Sequence, residues 1–279
     1  GAIGALAGGG PELIREQIPN LPTDQRWLLV LTIAGAACVA LTRRLSPAID
    51  ARAGRSTAPL RRSRKEVSRL ALLFGLDAFA GGFVVSTFLV FWFGRRFGAS
   101  AELMGLVLFC SGLLQALSSI ASGWIATRIG LLTTMVVTHL PSNVLLILIP
   151  VMPTLGSATV MLLLRSTLSQ MDVPARQAYV TALVDPEERT AAAAFTNTAR
   201  YVVRPLGAAS ACLLMQSVAM GAPFVVAGVL KSVYDVLLFA RPPQPRMAPV
   251  ELTKLVQLTA ALAAGDPALQ RLRIEIEGS

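Results

Sequence analysis

The sequence predicts an all-α membrane protein: a bundle of six transmembrane helices with one more transmembrane helix ahead of it. Three observations carry this. Only 15% of the 279 residues are charged and 54% are hydrophobic, with a mean hydropathy of +0.62; a soluble domain averages about 25% charged residues. The apolar residues gather in runs close to the ~20 that a bilayer-spanning helix needs. The Lys and Arg behind the net charge of +9 bunch between those runs, mostly in every second gap.

Taken in order, the apolar runs are 27–42, 68–94, 101–127, 131–152, 155–180, 190–217 and 219–240. Residues 1–9, GAIGALAGG, read as the end of a further helix, and the chain begins at Gly1 rather than Met, so a fragment of a longer protein is expected. The stretch after it, with Pro11, Pro19 and Pro22, is a loop. Between the first and second runs lie Arg43, Arg44, Arg52, Arg55, Arg61, Arg62, Arg64, Lys65 and Arg69, against only Asp50 and Glu66. Basic loops stay cytoplasmic, and alternation then puts Arg128, Arg176, Arg189, Arg241 and Arg246 on the same side. Only Arg15, Arg26, Arg95 and Arg96 fall opposite.

The expected divisions are therefore 1–42, the end of a preceding bundle; 43–66, a basic cytoplasmic loop; 67–241, the six-helix bundle; and 242–279, a cytoplasmic tail. RPPQPR opens the tail, and residues 249–264 form a short solvated helix that Gly265, Asp266 and Pro267 end. Basic charge also raises nucleic-acid binding, but these cations flank apolar runs and no nucleic-acid-binding signature accompanies them. Cys38, Cys110 and Cys212 are isolated and lack metal or redox spacing, which makes them small buried hydrophobes. No Walker loop, dinucleotide fingerprint, zinc motif or nucleophile elbow appears. No cofactor and no enzymatic activity are expected.

Two local sequences carry a family resemblance. GWIATRIG, Gly123 to Gly130, resembles the short cytoplasmic signature Gly-x-x-x-Asp-Arg-x-Gly of the major facilitator superfamily. Gly123, Arg128 and Gly130 match, while Thr127 replaces the acidic residue. MDVPARQAYVTALVDPEERTAAAAFTNTAR, Met171 to Arg200, resembles the link between the tenth and eleventh helices of bacterial efflux-type members. Within it Asp185 is placed to cap the next helix, Pro186 suits its first turn, and Glu187 and Glu188 favour its positive end. The resemblance implies the C-terminal half of a 6+6 transporter fold, an N-terminal half as its partner, and a bacterial plasma membrane as its location.

Ionisable residues inside spans are costly and face protein or water. At about 1.5 Å per residue, Asp77, Arg165 and Arg200 all fall near mid-bilayer, with Arg204 and Asn197 one turn either side of Arg200. The resemblance implies that the helices carrying Asp77, Gln115, Arg165 and Arg200 line the central cavity. These residues read either as a substrate or proton-coupling site or as a structural ion-pair network. Three Arg against one Asp leave excess positive charge, which suits an anionic solute. Asp172 and Arg176 sit nearer the cytoplasmic end, as a gate or anchoring pair. Lys231 and Asp235, four apart, pair directly as a structural device. His139, the single histidine, precedes Pro141 on a helix that the resemblance makes peripheral. The expected function is secondary transport of a small solute by an efflux-type permease with alternating access, driven by an ion gradient, protons being one candidate, or by the solute itself. The alternatives are an intramembrane enzyme acting on lipid, and a sensor or scaffold that does not transport.

Overall fold

A computed structural model describes residues 28–44 and 59–240. The expected helix end at 1–9, the loop after it, most of the basic loop and the tail helix at 249–264 lie outside the described residues. The helices are α1 (Leu28–Thr42), α2 (Arg64–Gly82), α3 (Ser86–Phe97), α4 (Ala101–Ile129), α5 (Leu131–Leu148), α6 (Leu155–Leu168), α7 (Asp172–Leu183), α8 (Arg189–Ser217) and α9 (Ala222–Ala240). One 3₁₀ turn, Ile149–Val151, extends α5 and another, Pro186–Glu188, precedes α8. No strand occurs among the described residues. Among the described residues, four apolar stretches are long enough to cross a bilayer: α2 with α3, α4, α5 with its 3₁₀ turn, and α9. At 29 residues, α8 is about 43 Å long, but Arg200 and Arg204 interrupt its apolar run.

Two expected single helices are broken, each for a local reason. The run 68–94 divides at Phe83–Val85, after the weak helix formers Gly81 and Gly82 and among β-branched residues. The run 155–180 divides at Ser169–Met171 because of Pro174. A proline ring excludes the carbonyl four residues before it, here that of Gln170. Hydroxyls on α4 bind the carbonyls at the break: Ser119 Oγ donates to that of Gln170 at 3.5 Å, which also accepts from the Val173 amide at 3.3 Å, and Ser122 Oγ donates to that of Met171. Backbone polar groups in a membrane core must find protein partners, so α4 stabilises the break.

The most extensive packing is α2 against α8, followed by α9 against α5. Glycine makes both crossings possible. A Cβ on Gly82 would strike the Arg204 carbonyl oxygen, and one on Gly207 would strike the Phe79 carbonyl oxygen. A Cβ on Gly228 would strike Ile147, at the α9–α5 crossing. In lipid, helix association depends on such close approach rather than on apolar burial.

The bundle interior has two apolar cores with a polar layer between them. One core contains Phe74 of α2, Met135 of α5, Tyr179 of α7 and Leu238 of α9. The other contains Phe83 beyond α2, Leu146 of α5, Leu162 of α6 and Ala227 of α9. Along α2, α5 and α9 the residues between these cores include Asp77, then His139 with Asn143, then Lys231 with Asp235, all buried. The cysteines correct the expectation of burial. Cys38 and Cys212 are exposed and Cys110 is half-buried, since an outward apolar side chain on a membrane helix is already solvated by lipid.

The start of α2 is tied to the α7–α8 link, away from both crossings. Glu188 Oε1 accepts from the amides of Arg61 (2.8 Å) and Arg62 (2.9 Å), and Oε2 accepts from that of Ser63 (3.1 Å). The sequence places Glu188 at the positive end of its own following helix, but its carboxylate instead serves the amides leading into α2. Asp185 offers its backbone carbonyl to the Glu188 amide (2.9 Å) rather than a side-chain cap. The backbone amides of Arg61 and Arg62 hold the Glu188 carboxyl down at about 2, from an ordinary 4.5. A depressed carboxylate stabilises the fold above the unfolded value and loses that effect as pH falls through the folded one. The link is therefore intact above about pH 4.5 and weakens on acidification toward pH 2. Glu188→Gln is expected to speed hydrogen exchange at the amides of residues 61–67 at neutral pH, leaving the α5 and α9 amides unchanged. Unaltered exchange at 61–67 would refute the tie.

Candidate functional site

Five helices meet at one carboxylate. Asp77 projects from the middle of α2 into the polar layer and is 4% exposed. Lys231 Nζ of α9 donates to its Oδ1 at 2.5 Å. Arg176 Nη1 of α7 lies 3.5 Å from Oδ2, Arg200 Nη2 of α8 lies 3.9 Å from Oδ2, and His139 Nε2 of α5 lies 3.8 Å from Oδ1. Arg176 also binds Asp172 Oδ2 at 2.8 Å, one turn back on α7. Its guanidinium carbon is 5.5 Å from the centre of the Phe74 ring, so it is held from both sides. Two carboxylates sharing Arg176 leave neither buried charge without a partner, which is the condition for keeping ions in a low-dielectric interior.

A second carboxylate continues the layer. Asp235 is 1% exposed. It contacts His139 Nδ1 at 2.9 Å through Oδ1 and 3.1 Å through Oδ2, and accepts from Asn143 Nδ2 at 2.8 Å. His139 and Asn143 are four apart on α5 and so share a face. Tyr234 closes the layer, buried, with its ring 6.0 Å from that of His139.

This geometry revises several expected roles. Lys231 and Asp235 do not pair: one reaches Asp77 and the other His139 and Asn143. The intrahelical pair would have spent both charges on one helix, whereas partners on α2 and α5 offer closer contact in the bundle interior. His139 is central, not peripheral, because both of its ring nitrogens face carboxylates. Asp172 and Arg176 belong to the Asp77 cluster, and the break before Asp172 starts α7 close to mid-layer. Arg165 makes no ion pair with Asp77. It feels the Asp77 charge at longer range, and its Nε is buried without a hydrogen bond among the described residues.

Gln115 is half-buried, and Asn197 and Arg204 are exposed, so none of the three joins the cluster. At about 100° per residue, Asn197 and Arg204 are turned to one side of Arg200. The buried line of α8, through Ala192, Thr196 and Gly207, is turned to the other. Counting the groups in contact gives Asp77, Asp172 and Asp235 against Lys231, Arg176 and Arg200. With His139 left out of the count, the surplus positive charge shrinks to Arg165.

The signature-like segment is a tight helix link. Gly130 has φ of +86°, a conformation that favours glycine, and its amide donates to the Ala126 carbonyl at 3.0 Å while α5 starts at the next residue. Gly123 is buried, and Arg128 stacks on Trp124, 4.6 Å from the ring centre. Thr127, standing where an acidic residue is usual, donates to the Trp124 carbonyl at 2.7 Å.

Comparisons with known proteins agree with this architecture. The family model described as Major Facilitator Superfamily matches residues 26–208 and again residues 70–274. An uncharacterized membrane protein of Saccharomyces cerevisiae is 25% identical over 171 residues, which cover 61% of this chain and 38% of that protein. The chain thus spans well under half the length of that relative.

Proposed function

Because this chain belongs to the major facilitator superfamily, we propose that it is part of a secondary transporter that moves a small solute across a membrane by alternating access, of efflux type and driven by protons. One observation supports this above the rest: a carboxylate within 4 Å of basic side chains from four other helices. Such a node is bistable. Any movement between α2 and its partners exchanges one set of ion pairs for another, so solute and ion binding both act on the same helices. An ion-pair node that served only to lock the bundle would not respond to solute.

The cluster's near balance of charge weakens the case for an anionic solute from charge count alone. Arg165 and the partly exposed Arg200 are the two arginines of the layer whose Nε is buried without a hydrogen bond among the described residues; the Tyr234 hydroxyl, also without one, adds no charge. They are the residues we assign to solute contact, with Asp77, Lys231 and Arg176 as the coupling set.

The test uses the full-length protein in liposomes carrying a pH gradient and an internal proton indicator. Addition of solutes from a chemically varied panel is expected to produce solute-dependent proton movement for at least one class. A well-folded protein that moves no solute and no proton, while altering the liposome lipids, would favour the intramembrane-enzyme alternative and end this reading.

A further inference from the structure

We infer that His139 and Asp235 together hold the transferable proton of this network, an inference that rests on the proton-driven reading above. A neutral imidazole has one N–H and one bare lone pair. Here both ring nitrogens face carboxylate oxygens: Nδ1 at 2.9 and 3.1 Å from Asp235, and Nε2 at 3.8 Å from Asp77. If Nδ1 carries the hydrogen, the Nε2 lone pair points at the Asp77 carboxylate. If Nε2 carries it, the Nδ1 lone pair meets Asp235 at hydrogen-bond distance, and Asp235 must then be protonated. An imidazolium, or a ring with Nε2–H beside a protonated Asp235, gives each nitrogen a carboxyl partner of the right kind. Either state contains one proton more than a neutral histidine between two carboxylates.

The two carboxylates that face the ring favour a proton held at this place, against the cations Lys231, Arg176, Arg200 and, on α6, Arg165. Asp77 faces it from α2, with Arg176 and Arg200 behind that carboxylate from α7 and α8. From α9 come Lys231, Tyr234 and Asp235. On its own helix Asn143 occupies Asp235 Oδ2 through a donated N–H, leaving Oδ1 to the ring. Lys231 occupies the same Asp77 oxygen that Nε2 faces. Withdrawal of Lys231 would free that oxygen. The Nε2–H bond then breaks, an O–H bond forms on Asp77, and His139 is left neutral with Nδ1–H donated to ionised Asp235. The proton has moved from α5 to α2, no electrons change hands, and the step waits on a movement of α9 relative to α2.

His139 is the sole histidine in this sequence, so ¹⁵N-histidine labelling of the chain, purified through a tag without histidine, reports on this ring alone. Solid-state NMR in lipid bilayers between about pH 5 and 9 is expected to show a ring protonated on both nitrogens, or on Nε2 with Nδ1 accepting, at neutral pH. Asp235→Asn is expected to convert it to an ordinary neutral imidazole. A ring that carries its hydrogen on Nδ1 with a bare Nε2 over the whole range would overturn the inference. In liposomes of full-length protein, His139→Gln is expected to abolish proton-driven flux while solute exchange continues; unchanged proton-driven flux would also overturn it. If wild-type protein moves no solute, the transport reading fails, and the NMR result alone decides where the proton resides.

Discussion

Asp77→Asn is expected to cost the fold about 3–5 kcal/mol, the range found when one partner of a buried ion pair is removed. The cost follows from what is left behind. Lys231 is buried and, among the described residues, has no other carboxylate within ion-pair distance; Arg200 likewise loses its ion-pair partner. Arg176 keeps Asp172 and suffers less. The expected result is a lower folded yield in detergent and an unfolding midpoint shifted well below wild type. Asp172→Asn removes a carboxylate whose partner, Arg176, retains Asp77, so its effect on the same measurement is expected to be clearly smaller. Equal effects would mean that Asp77 is not the node.

The second large effect is expected at the α2–α8 crossing. A side chain at Gly207 would collide with the Phe79 carbonyl oxygen. Backbone cannot rotate away as a side chain can, so the two helices must separate. Gly207→Val is expected to destabilise by about 3 kcal/mol, the upper end of the usual overpacking range. It should also lengthen the reach from Arg200 to Asp77, since both lie near this crossing. Gly75→Ala is the control: it lies on α2, the other helix of the crossing, with open space around it, and alanine should be neutral or slightly stabilising there. Thermal unfolding of both variants in detergent or nanodiscs measures the contrast. A Gly207→Val protein as stable as Gly75→Ala would show that the close crossing is absent.

Much of this architecture is legible in the chain. Apolar length and the placement of arginines locate the spans, and the rarity of charge within them singles out Asp77, Arg200, Lys231 and Asp235. The two interruptions are harder to read, although Pro174 is a visible reason for one of them. Periodicity reports which residues share a helix face but not which face of another helix they meet. That limit explains two of the revised roles at the site. Lys231 and Asp235 stand four apart, so a local pair is the simplest reading, but tertiary packing sends them to α2 and α5. His139 precedes Pro141 on a helix that the family resemblance makes peripheral. The better signal is a titratable residue on each of α2, α5, α7 and α9, all lying between two apolar cores that only the folded bundle reveals. Asn197 and Arg204 show the opposite failure, since residues three and four apart are only loosely on one face, and the small rotation decides whether they enter the cluster. Glu188 is legible as a helix-start residue, but which helix it serves is not.

The central claim is that the Asp77 node couples ion and solute movement in addition to holding the bundle together. The most direct measurement is proton-driven solute flux in liposomes of full-length protein carrying Asp77→Asn together with Lys231→Gln. Removing both charges leaves only the partly exposed Arg200 without its ion-pair partner, so the double variant should fold markedly better than Asp77→Asn alone. If the node couples transport, this well-folded protein will show no proton-driven accumulation of solute while still exchanging solute across the membrane. If it accumulates solute against a gradient at the wild-type rate, the node is a structural tie and coupling does not pass through Asp77.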